Sequence, residues 1–268
     1  MNGVEQPGAL ALVGPGRAGT TIVAALVEAG WQVVAVAGRS PDATSTQSVA
    51  QRFGAPPVAV EDAGRDADLV IVATPDAAIE ATARRLAPGL RNDTLVVHLS
   101  GARGLDALSG LPCRVGALHP LQTIPTVDAG LTRLPGSWCV VAGDAQVRSL
   151  AAALELHPFE LPDAERARYH AAACIASNHL VALLEQVRAV APVPFEAMLP
   201  LVRATVENVD ELGPAAALTG PVARGDVETV RSHLAALPAE EQDLYRALAR
   251  AAQRLAGQQS AELEVVLR

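Results

Sequence analysis

The sequence predicts an α/β fold: a doubly wound, mainly parallel sheet followed by an all-α domain. Two observations support it. Up to about residue 160, short apolar runs of strand length alternate with amphipathic helical segments, which is typical of a parallel sheet with helices on both faces. After residues 161–163 every predicted element is a helix. We therefore predict two domains, residues 1–160 and residues 161–268.

In the first half, predicted strands and predicted helices alternate along the chain. The predicted strands are residues 9–13, 31–37, 68–74, 94–99, 114–118 and 138–142, with a short extended piece at 57–60. The predicted helices are residues 17–29, 41–53, 75–86 and 144–156, with Ser40 as the N-cap of the second and Asp144 capping the fourth. In the second half we predict helices at 164–190, 195–212, 227–236 and 239–256, and an irregular loop at 217–226.

The strongest single motif follows the first strand. Gly14, Gly16 and Gly19 form G-x-G-x-x-G between a buried strand and an amphipathic helix, the context that gives this pattern its meaning. The first glycine permits a tight turn, the second lets a pyrophosphate approach the backbone, and the third lets the helix pack closely on the strand. Arg17 and Ala18 begin the helix, and their backbone N–H groups would face the phosphates. The motif predicts a Rossmann-type dinucleotide site.

The end of the second strand indicates which dinucleotide binds. NAD sites usually place an acidic residue here for the ribose hydroxyl, but this chain has Arg39 and Ser40, with no carboxylate before Asp42. A guanidinium attracts a 2′-phosphate and a hydroxyl adds a hydrogen bond. We predict NADP(H), with NAD(H) disfavoured, and the same arginine argues against S-adenosylmethionine. The alternative is that Arg39 is a solvated turn residue or stacks on adenine.

Other strand ends should contribute to the same crevice, because ligands of such sheets bind beyond the carboxyl ends of the strands. We expect Thr74, Pro75 and Asp76 to contact the cofactor. Ser100 should lie near the nicotinamide or a substrate carboxylate, although it could be a simple turn hydroxyl. His119, at the end of its strand, should also face the crevice.

Polar side chains also interrupt the alanine-rich first helix of the second domain. His170, Cys174 and Ser177 have helical spacing on one face, with Asn178 beside them. Such groups must be satisfied internally or offered to a ligand. We therefore treat Ser177, Asn178 and His170 as candidate site residues, while a hydrogen-bonded core histidine remains the alternative for His170.

The loop at residues 217–226 is unusually polar for a helical domain. Arg224 could hold a substrate carboxylate or pair with Asp226. The alternative is that Asp226 caps the helix that follows.

Bulk composition excludes several classes of function. The chain has 268 residues and a net charge of -8, which argues against nucleic acid as a partner. No long apolar run predicts a membrane span, and the first residues do not resemble a signal peptide, so we expect a cytoplasmic protein. Its 3 cysteines form no C-x-x-C pair and predict no metal site. All 21 basic residues are arginines, so chemistry that needs a lysine is excluded.

Six motifs in order give the chain a family resemblance. They are G-P-G-R-A-G-T at the first turn, A-T-P-D at 73–76, H-L-S-G-A at 98–102, L-H-P-L-Q at 118–122, Y-H-A-A-A-C-I-A-S-N-H-L at 169–180 and A-L-T-G-P-V-A-R-G-D at 217–226. Together they resemble uncharacterised Rossmann-like oxidoreductases with a C-terminal helical domain of the DUF2520 type. The layout is similar to that of β-hydroxyacid dehydrogenases, pyrroline-5-carboxylate reductases and F420-dependent NADP reductases. The resemblance implies NADP binding and a homodimer through the helical, substrate-binding domain.

The resemblance does not extend to the catalytic acid. β-Hydroxyacid dehydrogenases carry a lysine four residues before the asparagine that matches Asn178, and this chain has Cys174 there. Our candidates for the proton donor are therefore His119 first, then His170 and His98, on the expectation of a near-neutral histidine pKa. His98, inside its strand, is more typical of a core residue. A metal site built from these three histidines is the least favoured interpretation.

We therefore expect an NADP(H)-dependent oxidoreductase that reduces a small carbonyl or imine compound, with a carboxylate on the substrate. The alternative is a dinucleotide-binding regulator or sensor without turnover.

Overall fold

A computed structural model describes residues 7–257 and 260–268. Its main feature is an eight-stranded sheet with the order β3-β2-β1-β4-β5-β6-β7-β8. The strands are β1 Ala9–Val13, β2 Gln32–Ala37, β3 Pro57–Val58, β4 Leu69–Val72, β5 Leu95–His98, β6 Arg114–Pro120, β7 Trp138–Gly143 and β8 His157–Glu160. Every neighbouring pair is parallel except β6 with β7. The predicted Rossmann-type, mainly parallel sheet is confirmed.

Helices cover both faces of this sheet. They are α1 Arg17–Glu28, α2 Thr44–Phe53, α3 Ile79–Leu86, α4 Val127–Arg133, α5 Gln146–Ala153 and α6 Arg166–Cys174. Successive strand residues point to opposite faces, so Leu10 and Leu12 join one buried cluster while Ala11 and Val13 join the other. Burial on both faces explains why these strands are continuous apolar runs and do not alternate with polar residues.

Some local predictions were wrong. Helix α2 begins at Thr44 and not at residue 41, because the Ala43 N–H donates to the Ser40 carbonyl at 3.2 Å and forms a turn there. Strand β8 was not predicted, since its four residues are at the sheet edge and only two of them are half-buried. Helix α4 was also missed, although Thr126 caps it by accepting a hydrogen bond from the Ala129 N–H.

The helical second half differs in detail from the predicted single long helix. Helix α6 is followed by a π-helical turn, Ile175–His179, before α7 Leu180–Val190 begins. The later helices are α8 Leu199–Leu212, α9 Pro214–Ala217, α10 Pro221–Arg224, α11 Val227–Ala236, α12 Ala239–Leu255 and α13 Ala261–Val266. Helix α10 lies inside the stretch that we predicted as an irregular loop. Beyond β8 the described residues contain no further strand, as expected.

The chain divides into two compact units, the first ending at Ser177 and the second beginning at Asn178. The first contains the sheet and its helices, and the second has its own small apolar core, centred on Val230, Leu234 and Leu263. The predicted boundary after residue 160 was drawn from the change in pattern alone and stays a prediction.

Asp226 caps α11, as the capping alternative predicted. Its carboxylate accepts hydrogen bonds from the Thr229 N–H at 3.1 Å and from the Thr229 hydroxyl at 2.6 Å. These bonds hold the pKa of Asp226 below its ordinary value, and the nearby charge of Arg224 adds to the effect.

Across residues 7–257 and 260–268, no single helix has the length and apolar character needed to cross a bilayer. The bent pair of segments Asp163–Val190 and Phe195–Leu212 passes the test jointly on length and composition, as core helices of soluble proteins also do. The expectation that the first residues do not form a signal peptide concerns a segment of which residues 1–6 lie outside the described part.

Candidate dinucleotide and catalytic site

The glycine motif forms the turn between β1 and α1. Gly14 has a φ of +95°, and a Cβ there would lie 2.6 Å from the backbone carbon of Ala73. A Cβ on Gly19 would lie 2.5 Å from the Cβ of Ala73, so α1 can approach β4 only with glycine at that position. Both glycines therefore do what the motif predicted: one permits the turn and the other permits close packing.

The start of α1 has the properties of a phosphate cradle. A Cβ on Gly16 would meet no atom within 4 Å, and no side chain caps the first turn of the helix. The N–H groups at Arg17 and Ala18, at the positive end of the helix dipole, are thus available to an anion. Beside this turn the Thr74 hydroxyl is buried without a hydrogen-bond partner among the described residues. These residues fit a dinucleotide.

The remaining predicted cofactor residues lie at the ends of β2 and β4. Arg39 and Ser40 are exposed directly beyond β2, and Arg39 makes no ion pair with any residue that the structure describes. Pro75 is exposed and Asp76 is half-buried where a short 3₁₀ turn, Asp76–Ala78, begins. Arg17 itself is exposed and donates a hydrogen bond to the Pro125 carbonyl at 3.1 Å.

Strand register brings these ends to one edge of the sheet. Val13 of β1 pairs with both Ala37 of β2 and Val72 of β4, and Val72 pairs with His98 of β5. His98 in turn pairs with Ala117 of β6. His119 is two residues further along its strand, level with Ser100 and Thr74. The crevice that we predicted from the strand ends is therefore consistent with the register.

His98 is completely buried at the end of β5. Its Nδ1 accepts a hydrogen bond from the Ser100 N–H at 3.2 Å, and its Nε2 has no partner in the described part of the chain. Burial lowers the pKa of His98 to about 4, and the positive charge of Arg166 acts in the same direction. The interpretation of His98 as a core residue is confirmed.

The loop after β5 is organised by Ser100. The Ser100 hydroxyl accepts hydrogen bonds from the N–H groups of Ala102, at 3.2 Å, and Arg103, at 3.0 Å. This is the turn-hydroxyl arrangement that we kept as the alternative. The serine fixes the loop that contains Gly101, and its role toward a ligand stays a prediction.

A cluster of His119, Tyr169 and His170 lies against this loop. His119 Nδ1 is hydrogen-bonded to the Tyr169 hydroxyl at 2.9 Å, and the His119 and His170 rings meet edge to face at 6.0 Å. A Cβ at Gly101 would lie 2.8 Å from His119 Nε2 and 2.9 Å from His170 Nδ1. Two ring nitrogens therefore converge on one glycine, where a larger residue would displace them. The structure thus brings together Ser100, His119 and His170, three predicted residues from distant parts of the sequence.

The protonation state of this cluster differs from our expectation of a near-neutral histidine. Burial, the neighbouring His170 and the charge of Arg166 together lower the pKa of His119 to about 4, with burial contributing most. Burial also raises the pKa of Tyr169 to about 12. At neutral pH, His119 is therefore an uncharged imidazole bonded to an intact phenol, a polarising group and not a charged acid.

Tyr169 and Arg166 are the site residues that sequence reasoning missed. The motif around position 170 drew attention to His170, while Tyr169 was read only as its neighbour. Arg166 is 1% exposed and bonded through Nε to Asp163 at 2.8 Å, so it differs from every surface arginine around it. The signal that could have found both is helical spacing, since Arg166, Tyr169 and His170 occupy positions i, i+3 and i+4.

The remaining predicted residues follow the end of α6. His170 Nε2 contacts the Cys174 sulfur at 3.7 Å, as their i, i+4 spacing predicted. The π turn then changes the helical periodicity, so the prediction that Ser177 shares one helix face with His170 and Cys174 does not hold. The Ser177 hydroxyl donates to the Ala173 carbonyl at 2.9 Å, and Asn178, exposed, is the first residue of the second unit. Site roles for Ser177 and Asn178 stay predictions.

Within residues 7–257 and 260–268, no group of three or more histidine, cysteine or acidic side chains is arranged to hold a metal ion.

A cleft of about 530 Å³ opens between Val141 and Pro162, where Arg148 and Glu160 form an ion pair at 2.7 Å. Because β7 runs antiparallel to β6, this cleft lies at the sheet edge opposite the glycine turn, so it is not the predicted crevice.

Fold and site together define an α/β protein of the dinucleotide-binding, Rossmann-like class. Residues 4–125 match the family description "Rossmann-like domain", and residues 139–252 match "domain of unknown function (DUF2520)". The chain therefore matches both domain models, in the order that its six motifs indicated. None of the curated proteins compared with it matches.

Solved structures resemble the chain over nearly its whole length. A Bacteroides fragilis protein provisionally described as an NADP oxidoreductase is 26% identical with a TM-score of 0.79, covering 94% of this chain and 100% of its own. Protein TM1727 of Thermotoga maritima is 23% identical with a TM-score of 0.69, over 92% and 98% of the two chains. The pyrroline-5-carboxylate reductase of Streptococcus pyogenes is 16% identical with a TM-score of 0.61, again over 92% and 98%. The last two likenesses show the fold alone.

We expect stability to fall as the pH decreases from about 6.5 to 4. In this window His98 binds a proton in the unfolded chain but not in the folded chain, where its pKa is lowered. Replacing His98→Asn, whose amide oxygen can still accept from Ser100, should remove on the order of 2–3 kcal/mol from this pH-dependent loss. Urea unfolding of both proteins at pH 7 and pH 4.5 measures it.

The matched control is His157→Gln, because His157 is exposed on β8. It should leave the pH dependence as in the wild type, while some dependence should persist in His98→Asn owing to His119. Identical pH dependence in the wild type and in His98→Asn would contradict the prediction.

Proposed function

We propose that the chain is an NADP(H)-dependent oxidoreductase that reduces a small carbonyl or imine compound carrying a carboxylate. The observation that carries the proposal is a juxtaposition at one sheet edge. An open, uncapped helix start at Gly16 shares that edge with a half-buried histidine, His119, which is hydrogen-bonded to Tyr169. The relative that is 26% identical and described as an NADP oxidoreductase supports the same assignment.

The cofactor would be held mainly by backbone and by Arg39. The N–H groups at Arg17 and Ala18 would bind the pyrophosphate, and Thr74 supplies a buried hydroxyl that has no hydrogen-bond partner among the described residues. Arg39 and Ser40, both exposed beyond β2, would bind the 2′-phosphate. When bound, NADPH supplies the hydride.

His119 would then act as a neutral polarising group. With the Tyr169 hydroxyl as the donor to His119 Nδ1, the ring proton would be on Nε2, the nitrogen next to Gly101. From there the N–H can bond to a substrate oxygen or nitrogen as negative charge develops on it. The proton that completes the reduction would come from solvent, while the Nε2 N–H keeps its hydrogen bond to the reacting atom. A substrate with an already protonated imine would need only the hydride.

The other predicted residues would orient the substrate. Ser100 shapes the loop beside His119, and His170 directs its buried, unpartnered Nδ1 to the same glycine, so both are suited to positioning. We assign Ser177 and Asn178 to the substrate side on the strength of their motif alone. The absence of lysine keeps a non-catalytic dinucleotide sensor as the alternative.

We also propose that the chain forms a homodimer through its helical domain. None of the 14 residues of α8 is buried, and Leu201, Val209 and Leu212 share one face of it with exposures of 67%, 39% and 58%. Monomeric proteins rarely leave such an apolar stripe uncovered. A second copy of the chain is the occupant that symmetry makes simplest, because one stripe can meet its own equivalent.

Arg39→Ala should weaken NADPH binding about 10–100-fold, because a charged hydrogen bond to phosphate contributes about 1.5–3 kcal/mol. Binding of NADH, which lacks the 2′-phosphate, should change by less than about threefold on the same reasoning. Calorimetric titration of both dinucleotides measures the difference. Arg65→Ala is the control, since Arg65 is exposed and precedes β4 at the opposite sheet edge. Equal losses for the two dinucleotides would contradict the NADP assignment.

His119→Phe should lower kcat about 100-fold or more while NADPH binding stays near the wild-type value, since the ring is replaced and its polar nitrogens are lost. The assay follows NADPH consumption with a panel of 2-oxo acids and cyclic imines. The exposed His157→Phe serves as the control. Tight NADPH binding with no turnover of any compound would favour the sensor alternative, and full activity in His119→Phe would remove His119 from the chemistry.

Leu201→Glu combined with Leu212→Glu should convert a dimer to a monomer, because burying two carboxylates in an apolar interface is costly. Light scattering after size exclusion gives the mass. Val265→Glu, equally exposed on α13, is the control and should keep the wild-type mass. A wild-type chain that is monomeric, or a double variant that stays dimeric, would refute the α8 interface.

A further inference from the structure

Arg166 is the largest fully buried side chain in the part of the chain that the structure describes, with an exposure of 1%. Only its Nε has a partner, the Asp163 carboxylate at 2.8 Å. Both terminal nitrogens are buried and neither has a hydrogen-bond partner among the described residues. Four N–H donors on a permanently charged group are thus left unsatisfied.

Such an arrangement is expensive for a fold. A buried guanidinium normally has all of its donors satisfied, because the loss of hydration is otherwise uncompensated. Asp163 does not balance it fully, since the carboxylate is 58% exposed and reaches only the inner nitrogen. Buried donors without partners call for a specific reason, and a ligand that completes them is one.

The position of Arg166 points to the chemistry of that ligand. On α6 it shares a face with Tyr169 and His170, at i, i+3 and i+4, and both of these contact His119. Asp163, its partner, packs against Gly104, which lies in the loop that follows Ser100. A Cβ on Gly104 would be 2.5 Å from the nearest carboxylate oxygen of Asp163. The charge of Arg166 reaches His98 and His119, whose pKa values it helps to lower.

We propose that the two terminal nitrogens of Arg166 bind the carboxylate of the substrate beside His119. The planar fork of a guanidinium matches a carboxylate through two parallel hydrogen bonds. A carboxylate held there, next to the group that polarises the reacting atom, selects 2-oxo acids or cyclic imino acids. This inference rests on the proposed function, and it replaces Arg224 as the candidate carboxylate clamp.

The test compares two probes that differ in the carboxylate alone, 2-oxobutanoate and 2-butanone. Their binding to the full chain is measured by ligand-observed NMR, with and without NADPH, so no turnover is needed. The wild type should bind 2-oxobutanoate at least 10-fold more tightly than 2-butanone. Arg166→Met should abolish the difference, and Arg166→Lys, which keeps the charge but loses the fork, should retain only part of it.

Arg168→Met is the matched control, because Arg168 lies on the same helix but its side chain is 85% exposed. It should behave as the wild type. Urea unfolding provides a second readout: Arg166→Met should be at least as stable as the wild type, since it removes an unsatisfied buried charge. A purely structural arginine would instead leave the variant clearly less stable.

Three results would overturn the inference. They are equal binding of the two probes to the wild type, an unchanged preference in Arg166→Met, and a large loss of stability in that variant with the preference intact in Arg166→Lys. Failure of the proposed function has a different signature. If NADPH does not bind while 2-oxobutanoate still requires Arg166, the oxidoreductase assignment fails and the carboxylate site stands.

Discussion

The structure depends on the in-register pairing of parallel strands β1, β2, β4, β5 and β6. Backbone hydrogen bonds align their carboxyl ends, so residues that are far apart in the chain come to one edge. The bulky apolar residues of these strands are buried on both faces and hold that register against slippage. Without it, the glycine turn, Thr74, Ser100 and His119 would have no common location.

Close approach of neighbouring groups to a glycine backbone is the second condition for this edge. Gly19 lets α1 lie against β4, and Gly101 lets two histidine rings meet the loop after β5. In both places the lack of a side chain brings polar groups into positions that a Cβ would deny them. The first approach directs helix N–H groups outward for an anion, and the second gathers ring nitrogens around a single point.

Burial determines the electrostatic character of the cluster. His98 and His119 lose their charge because desolvation and neighbouring positive charge both oppose protonation. Arg166 cannot lose its charge and so stays a cation in the same surroundings. A neutral donor beside a fixed cation suits a substrate whose reacting atom and carboxylate are neighbours. The absence of lysine from the chain fits a site that relies on arginine and uncharged imidazole.

The sequence by itself determined the architecture and the glycine turn between β1 and α1. Periodicity and punctuation were sufficient, because continuous apolar strands and G-x-G-x-x-G are local patterns whose structural meaning is carried by neighbouring residues. It could not determine that His119 meets Tyr169, or that Arg166 is buried, since those contacts join residues 50 and more positions apart or depend on what covers a helix face. The start of α2 was likewise decided by a turn at Ser40, and the face beyond Cys174 by a π turn. The charge and the pKa of the histidines in the cluster follow from desolvation, which is a property of the packed chain. Only the tertiary structure could therefore decide them.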